Sequence, residues 1–121
     1  MNKTVANVIG DARGELKDVS SGKYTYSQAD MARYCGEGIL EMRRVRPSMR
    51  YSETLELLTD EDTWATIGES GLSTTLPIED RYYADLVAYV IARCLSRDIT
   101  DESNLAVAAT WMKKFQQGLS T

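Results

Sequence analysis

Apolar residues recur along most of this chain at three- and four-residue steps, the period of a helix that buries one face. The first such stripe is Val5, Val8, Ile9, Ala12, Leu16 and Val19. Thr4 stands where an N-cap belongs, so a helix is predicted over residues 4–18. Gly10 and Gly14 weaken it, each by up to ~1 kcal/mol relative to alanine. Ser20, Ser21, Gly22 and Lys23 then break the pattern as a loop. A second stripe, Met31, Cys35, Gly38, Met42 and Val45, widened by Tyr34 and Ile39, predicts a helix over residues 27–46. Ser27 followed by Asp30 resembles a capping box, and Pro47 stops the helix because the residue before a proline avoids the α region. The opposite face carries Asp30, Arg33, Glu37, Glu41 and Arg44. Glu41 and Arg44 stand one turn apart and can pair, for a gain of a few tenths of a kcal/mol. Gly36 and Gly38 let another helix approach closely.

The period changes over residues 51–77. Residues 52–57 alternate polar and apolar positions, as a half-buried strand does. Residues 64–67 continue the pattern, 68–71 supply a turn, and 72–76 offer another short strand before Pro77. A small β-hairpin or extended loop is expected there. The helical period then returns over residues 79–98. Tyr83, Leu86, Val87, Val90, Ile91, Cys94 and Leu95 form a face wide enough for the central core helix. Glu79 and Asp80 at its start and Arg93 and Arg97 at its end complement the helix dipole. A last helix over residues 101–118 opens at Thr100 or Asp101 and buries Leu105, Ala108, Ala109, Met112, Phe115 and Leu119, its alanines allowing close packing. The expected fold is mainly α: one domain spanning residues 1–121, with four helices and a small β or loop insertion between the second and third.

Composition narrows the function classes. The 121 residues fit one domain, and 43% hydrophobic with 26% charged residues is ordinary for a globular chain. No apolar run approaches the ~20 residues of a membrane span, and MNKTVANVIGDARGE lacks a signal-peptide core, so an intracellular protein is expected. The chain has no histidine, which removes the usual general base and most transition-metal sites. Cys35 and Cys94 fall within apolar stripes and read as small buried hydrophobes. Gly36 and Gly38 lie inside a helical pattern, not in a phosphate-binding loop. Neither an enzyme nor a cofactor is expected. The net charge of −4 argues against nonspecific nucleic-acid binding over the whole surface.

Four segments carry a resemblance. They are TVANVIGDARGEL, a helix ending GEGILEMRRVRPSM after Tyr26 and Ser27, LPIEDRYYADLVAYVIARCLSRDI, and NLAVAATWMKKFQQGL. The specific part is the pairing of I-x-x-x-R-x-x-R-P, here Ile39, Arg43, Arg46 and Pro47, with L-P-I-x-x-x-Y-x-x-x-L-V-x-Y-V-x-x-R, here residues 76–93. The chain resembles the head-to-tail connector proteins of tailed bacteriophages, also called adaptor or head-completion proteins. Larger members carry a longer β-rich insertion in the middle. The resemblance implies a four-helix adaptor-type domain and a non-enzymatic virion protein of the phage neck. Its partners would be the portal protein, further copies of itself in a ring that is commonly dodecameric, and a tail-side neck or tail-completion protein. Genomic DNA would pass through the channel without sequence-specific binding, and no membrane is involved.

The candidate contact residues follow from charge and shape. Arg43, Arg44, Arg46 and Arg50 fall within eight residues at the exit of the second predicted helix. Two readings fit them once a third, a basic lumen touching DNA, is set aside because a DNA channel should let the genome slide. One is a solvated helix end, favourable by ~0.3–1 kcal/mol against the dipole. The other is a subunit or portal contact in which arginine grips carboxylates of a neighbouring chain. Asp60, Glu61 and Asp62, with Glu53, Glu56 and Glu69, are candidate acceptors, although as an acidic run they read more simply as a solvated loop. Trp64 lies in the middle segment, off any helix stripe, and Trp111 lies off the Leu105–Met112 line, so both are candidate docking anchors. The rival class is a small helical DNA-binding regulator with the residue 27–45 helix in the major groove. Its continuous apolar stripe and the negative net charge count against that rival.

Overall fold

The computed structural model describes residues 3–16, 26–46, 76, 78, 80–97 and 102–119. They form α1 (Val5–Leu16), α2 (Gln28–Val45), a 3-10 turn (Asp80–Tyr82) leading directly into α3 (Tyr83–Arg97), and α4 (Glu102–Leu119). The fold is mainly α, with four α-helices and no strand among the described residues. The β-hairpin or loop expected over residues 51–77 lies outside them except at Leu76. There the Leu76 N–H donates to the Lys3 carbonyl at 2.9 Å, tying the approach to α3 to the start of α1.

Local chemistry sets the first two helix starts. At α1, the Thr4 carbonyl accepts from the Asn7 and Val8 N–H groups, while Asn7 Oδ1 accepts from the Thr4 N–H at 2.9 Å. This reciprocal arrangement satisfies donors that a helix N-terminus leaves open. At α2, Ser27 Oγ accepts from the Asp30 N–H at 3.1 Å with extended backbone at Ser27. An N-cap of this kind is worth ~1 kcal/mol.

Helix α3 is the centre of the fold. It packs against α1, α2 and α4 and buries Leu86, Val87, Ala88, Val90, Ile91, Ala92 and Cys94. A helix apolar around so much of its circumference has to be enclosed by others. Helix α2 runs antiparallel to it: Asp30 meets Arg97, Glu37 meets Arg93, Gly38 lies against Leu86 and Tyr89, and Arg46 reaches Tyr82. Helix α4 is antiparallel as well, with Phe115 tilted 56° against Tyr89 at 5.0 Å and Gly118 against the Asp85 carboxylate. Such an aromatic pair adds ~0.5–1.5 kcal/mol beyond its burial. Helix α1 crosses the first turns of α3, where the Tyr83 hydroxyl donates to Asp11 and Lys3 Nζ stands 5.0 Å over the Tyr83 ring. Burial, together with the Asp11 carboxylate, raises the Tyr83 phenol above its ordinary range.

The buried stripes depart from the sequence expectation in three places. Helix α2 buries Ala32, Gly36 and Arg43 in addition to its predicted stripe. With Ile39 these residues form a second row at helical spacing, and α2 contacts α1 as well as α3. Val45, expected in the stripe, is 45% exposed at the last residue of α2. In α4, Ala108, Phe115 and Leu119 are buried and Met112 is partly so, whereas Leu105 is 52% exposed and Ala109 is exposed. The antiparallel register that sets Phe115 beside Tyr89 places Leu105 just past Arg97, where α3 has ended. Among the described residues, no helix is long and apolar enough to cross a membrane.

A Cβ at Gly38 would stand 2.6 Å from Leu86 Cδ1 and 2.9 Å from Tyr89 Cδ1, so glycine here sets the α2–α3 distance. Around Gly10 and Gly14 the space is open. Gly38→Ala is expected to cost about 1–3 kcal/mol through overpacking, whereas Gly10→Ala and Gly14→Ala each add about 0.5–1 kcal/mol by helix propensity. Thermal unfolding of the three variants checks both signs.

Candidate functional site

The described arginines at the α2 exit, Arg43, Arg44 and Arg46, do not form one patch. Arg43 is 1% exposed, among the largest fully buried side chains, and so is not the solvated helix end that its charge suggested. A guanidinium is almost never buried to that degree without paired acceptors, since desolvating the charge costs several kcal/mol. Arg44 points to solvent and grips Glu41 through Nε and Nη2, the pair expected from their spacing. That hydrogen bond holds Glu41 below the ordinary carboxylate range. Being exposed, the pair contributes little to stability.

Arg46 turns inward. Its Nε donates to the Leu119 carbonyl at the end of α4, and its Nη1 donates to the Tyr82 hydroxyl at 3.2 Å. Its Cζ lies 5.7 Å from the Tyr82 ring centroid. A cation on the last carbonyls of a helix satisfies an orphan acceptor and complements the dipole. One side chain thus ties the end of α2 to the end of α4 and the start of α3.

Trp111 is half-buried against the core, with Lys114 Nζ 4.3 Å over its ring. Arg50, Trp64, Asp60, Glu61 and Asp62 lie outside the described residues, as do Glu53, Glu56 and Glu69.

A different cluster forms where α2 and α3 meet. Arg33 and Arg93 stack on Tyr34, their Cζ atoms 5.5 and 5.2 Å from its ring centroid. Asp30 takes the Arg97 guanidinium and lies 3.4 Å from Arg33, while Glu37 lies 3.4 Å from Arg93. Tyr34 itself is buried, while the three arginine side chains stay about half-exposed. Three guanidinium groups over two carboxylates make the seam net positive. Sequence reasoning read Arg33 as part of a polar face and Arg93 and Arg97 as helix-end charges. Once α2 and α3 are laid antiparallel, the order Asp30, Arg33, Glu37 against Arg97, Arg93 brings the five together.

Cys35 and Cys94 are buried and form no disulfide, and burial pushes the Cys35 thiol up to about 12, far from a reactive thiolate. Among the described residues, no three histidine, cysteine, aspartate or glutamate side chains are grouped to hold a metal ion. Comparison with models of protein families, with curated proteins and with solved structures gives no match.

Two of the partly buried carboxylates are shifted in opposite directions. The Arg97 hydrogen bond holds Asp30 below its ordinary value of 3.8, whereas burial raises Asp85 above the same value. A lowered carboxylate stabilises the fold above its unfolded pKa, and that contribution is lost as pH falls through the folded value. Asp85 acts oppositely, favouring the fold more when protonated. Asp30→Asn is expected to lower the melting temperature near pH 7 and to leave it almost unchanged near pH 2. A melting series across that range checks the convergence.

Proposed function

We propose that this chain is a structural virion protein of a tailed-phage neck, a head-to-tail connector. Its copies form a ring that joins the portal to the tail or to the next neck protein, and the ring extends the DNA channel. The reading rests on the sequence resemblance, and one structural observation supports it. The two paired motifs that make the resemblance specific interlock as a single frame: Arg46 donates to Tyr82, Gly38 seats Leu86 and Tyr89, and Ile39 and Arg43 are buried. Motif residues set so far apart in the chain and so closely fitted are those that an adaptor fold needs to keep its shape. The virion neck is the site of action, and the host cytoplasm is the place of assembly.

The mechanism is complementarity of shape and charge, with no bond made or broken. Because Arg43 and Arg46 are engaged within the subunit, contact with neighbours falls to surfaces that remain open. Arg44, the outer side of Trp111, and Leu105 and Val107 on the first half of α4 are such surfaces. The rival reading, with α2 lying in a DNA major groove, fits less well. Its inner face is buried, and its outer face mixes Asp30, Glu37 and Glu41 with Arg33 and Arg44.

Size-exclusion chromatography of the chain, alone and with its cognate portal, tests the proposal. The expected result is a monomer alone and co-elution with the portal ring. An unchanged elution volume in the presence of portal would refute it.

A further inference from the structure

Building on the ring reading, we infer that the arginine layer on the α2–α3 seam receives the acidic stretch of an adjacent copy, residues 53–69. The layer is Arg33, Arg93 and Arg97, each about half-exposed and each already oriented. Arg33 and Arg93 lie on the Tyr34 ring, while Arg97 and Arg93 are steadied from beneath by Asp30 and Glu37. Held in this way, the guanidinium groups lose little freedom when they meet a further carboxylate, and their planar forks suit one.

The chain itself carries the complementary charge. Residues 51–79 contain seven carboxylates and no lysine or arginine. The remainder carries all fourteen basic residues against eleven acidic ones. A head-to-tail ring needs two complementary surfaces on the same molecule, one for each neighbour, and this segregation of charge provides both. At the exit of α2, Arg43 is buried and Arg46 is held by Leu119 and Tyr82, so neither is turned toward a neighbour. An acidic peptide fits the layer better than a nucleic acid does. Asp30 and Glu37 lie among the arginines and repel a strand with a charge on every nucleotide, whereas residues 53–69 carry six carboxylates in seventeen residues and bring fewer like charges to the seam.

The test uses the intact chain and a fluorescent peptide of residues 51–71, followed by anisotropy at low salt with no portal present. Failure here is therefore separable from failure of the connector reading. The expected result is saturable binding that high salt weakens and that the Asp→Asn, Glu→Gln peptide lacks. Arg93→Ser with Arg97→Ser should weaken it about tenfold or more, about 1.4 kcal/mol. Arg33→Ser, which removes contacts to Asp30 and Tyr34 on its own helix, should weaken it too, with circular dichroism unchanged. Equal binding by the arginine variants or by the neutral peptide overturns the inference. So does an absence of binding, whether the layer takes no acidic chain or is already filled from within the same copy. A single-stranded DNA oligonucleotide binding more tightly, with the same arginine dependence, also overturns it in favour of nucleic acid.

Discussion

The apolar circumference of α3 is the constraint on which the rest of the fold depends. A helix that buries residues from Leu86 to Cys94 on several sides has to be covered by three others, and each cover is built differently. Against α2 the means is Gly38, whose missing side chain leaves room for Leu86 and Tyr89. Against α4 it is the Tyr89–Phe115 pair, with Gly118 giving space to the Asp85 carboxylate. Against α1 it is Tyr83, held by Asp11 and Lys3. Tyr89 touches both the α2 and the α4 contacts, so the spacing of one side is felt on the other.

Within that frame a single residue type meets three fates. Arg43 is enclosed, Arg46 fastens three helix ends, and Arg44 remains at the surface beside Glu41. A run of arginine therefore does not amount to a basic patch. Three half-exposed guanidinium groups gather instead beside Tyr34, on residues that stand far apart in the chain.

What was legible in the sequence was what local pattern controls. The helical period marked out all four helices, Thr4 and Ser27 marked the first two starts, and the width of its stripe identified α3 as the centre. Both cysteines read correctly as buried, and Gly38 as a point of close approach. Arg43 was misread because its charge outweighed its position, which continues the row Ala32, Gly36, Ile39. Leu105 was misplaced because its exposure depends on where α3 ends relative to α4, and no periodicity within α4 reports that. The Tyr34 cluster needed the antiparallel pairing of α2 with α3 before its members met. Of the candidate contact residues, only Arg43, Arg44, Arg46 and Trp111 fall among those described.

Through Arg46 and Tyr82 the α2 exit and the approach to α3 form one locked frame. A double-mutant cycle with Arg46→Ala and Tyr82→Phe, read by chemical denaturation, tests it most directly. A coupling of about 1.5 kcal/mol is expected between the two changes, the low end for a hydrogen bond with a charged donor. Strictly additive effects, with no coupling, would contradict it.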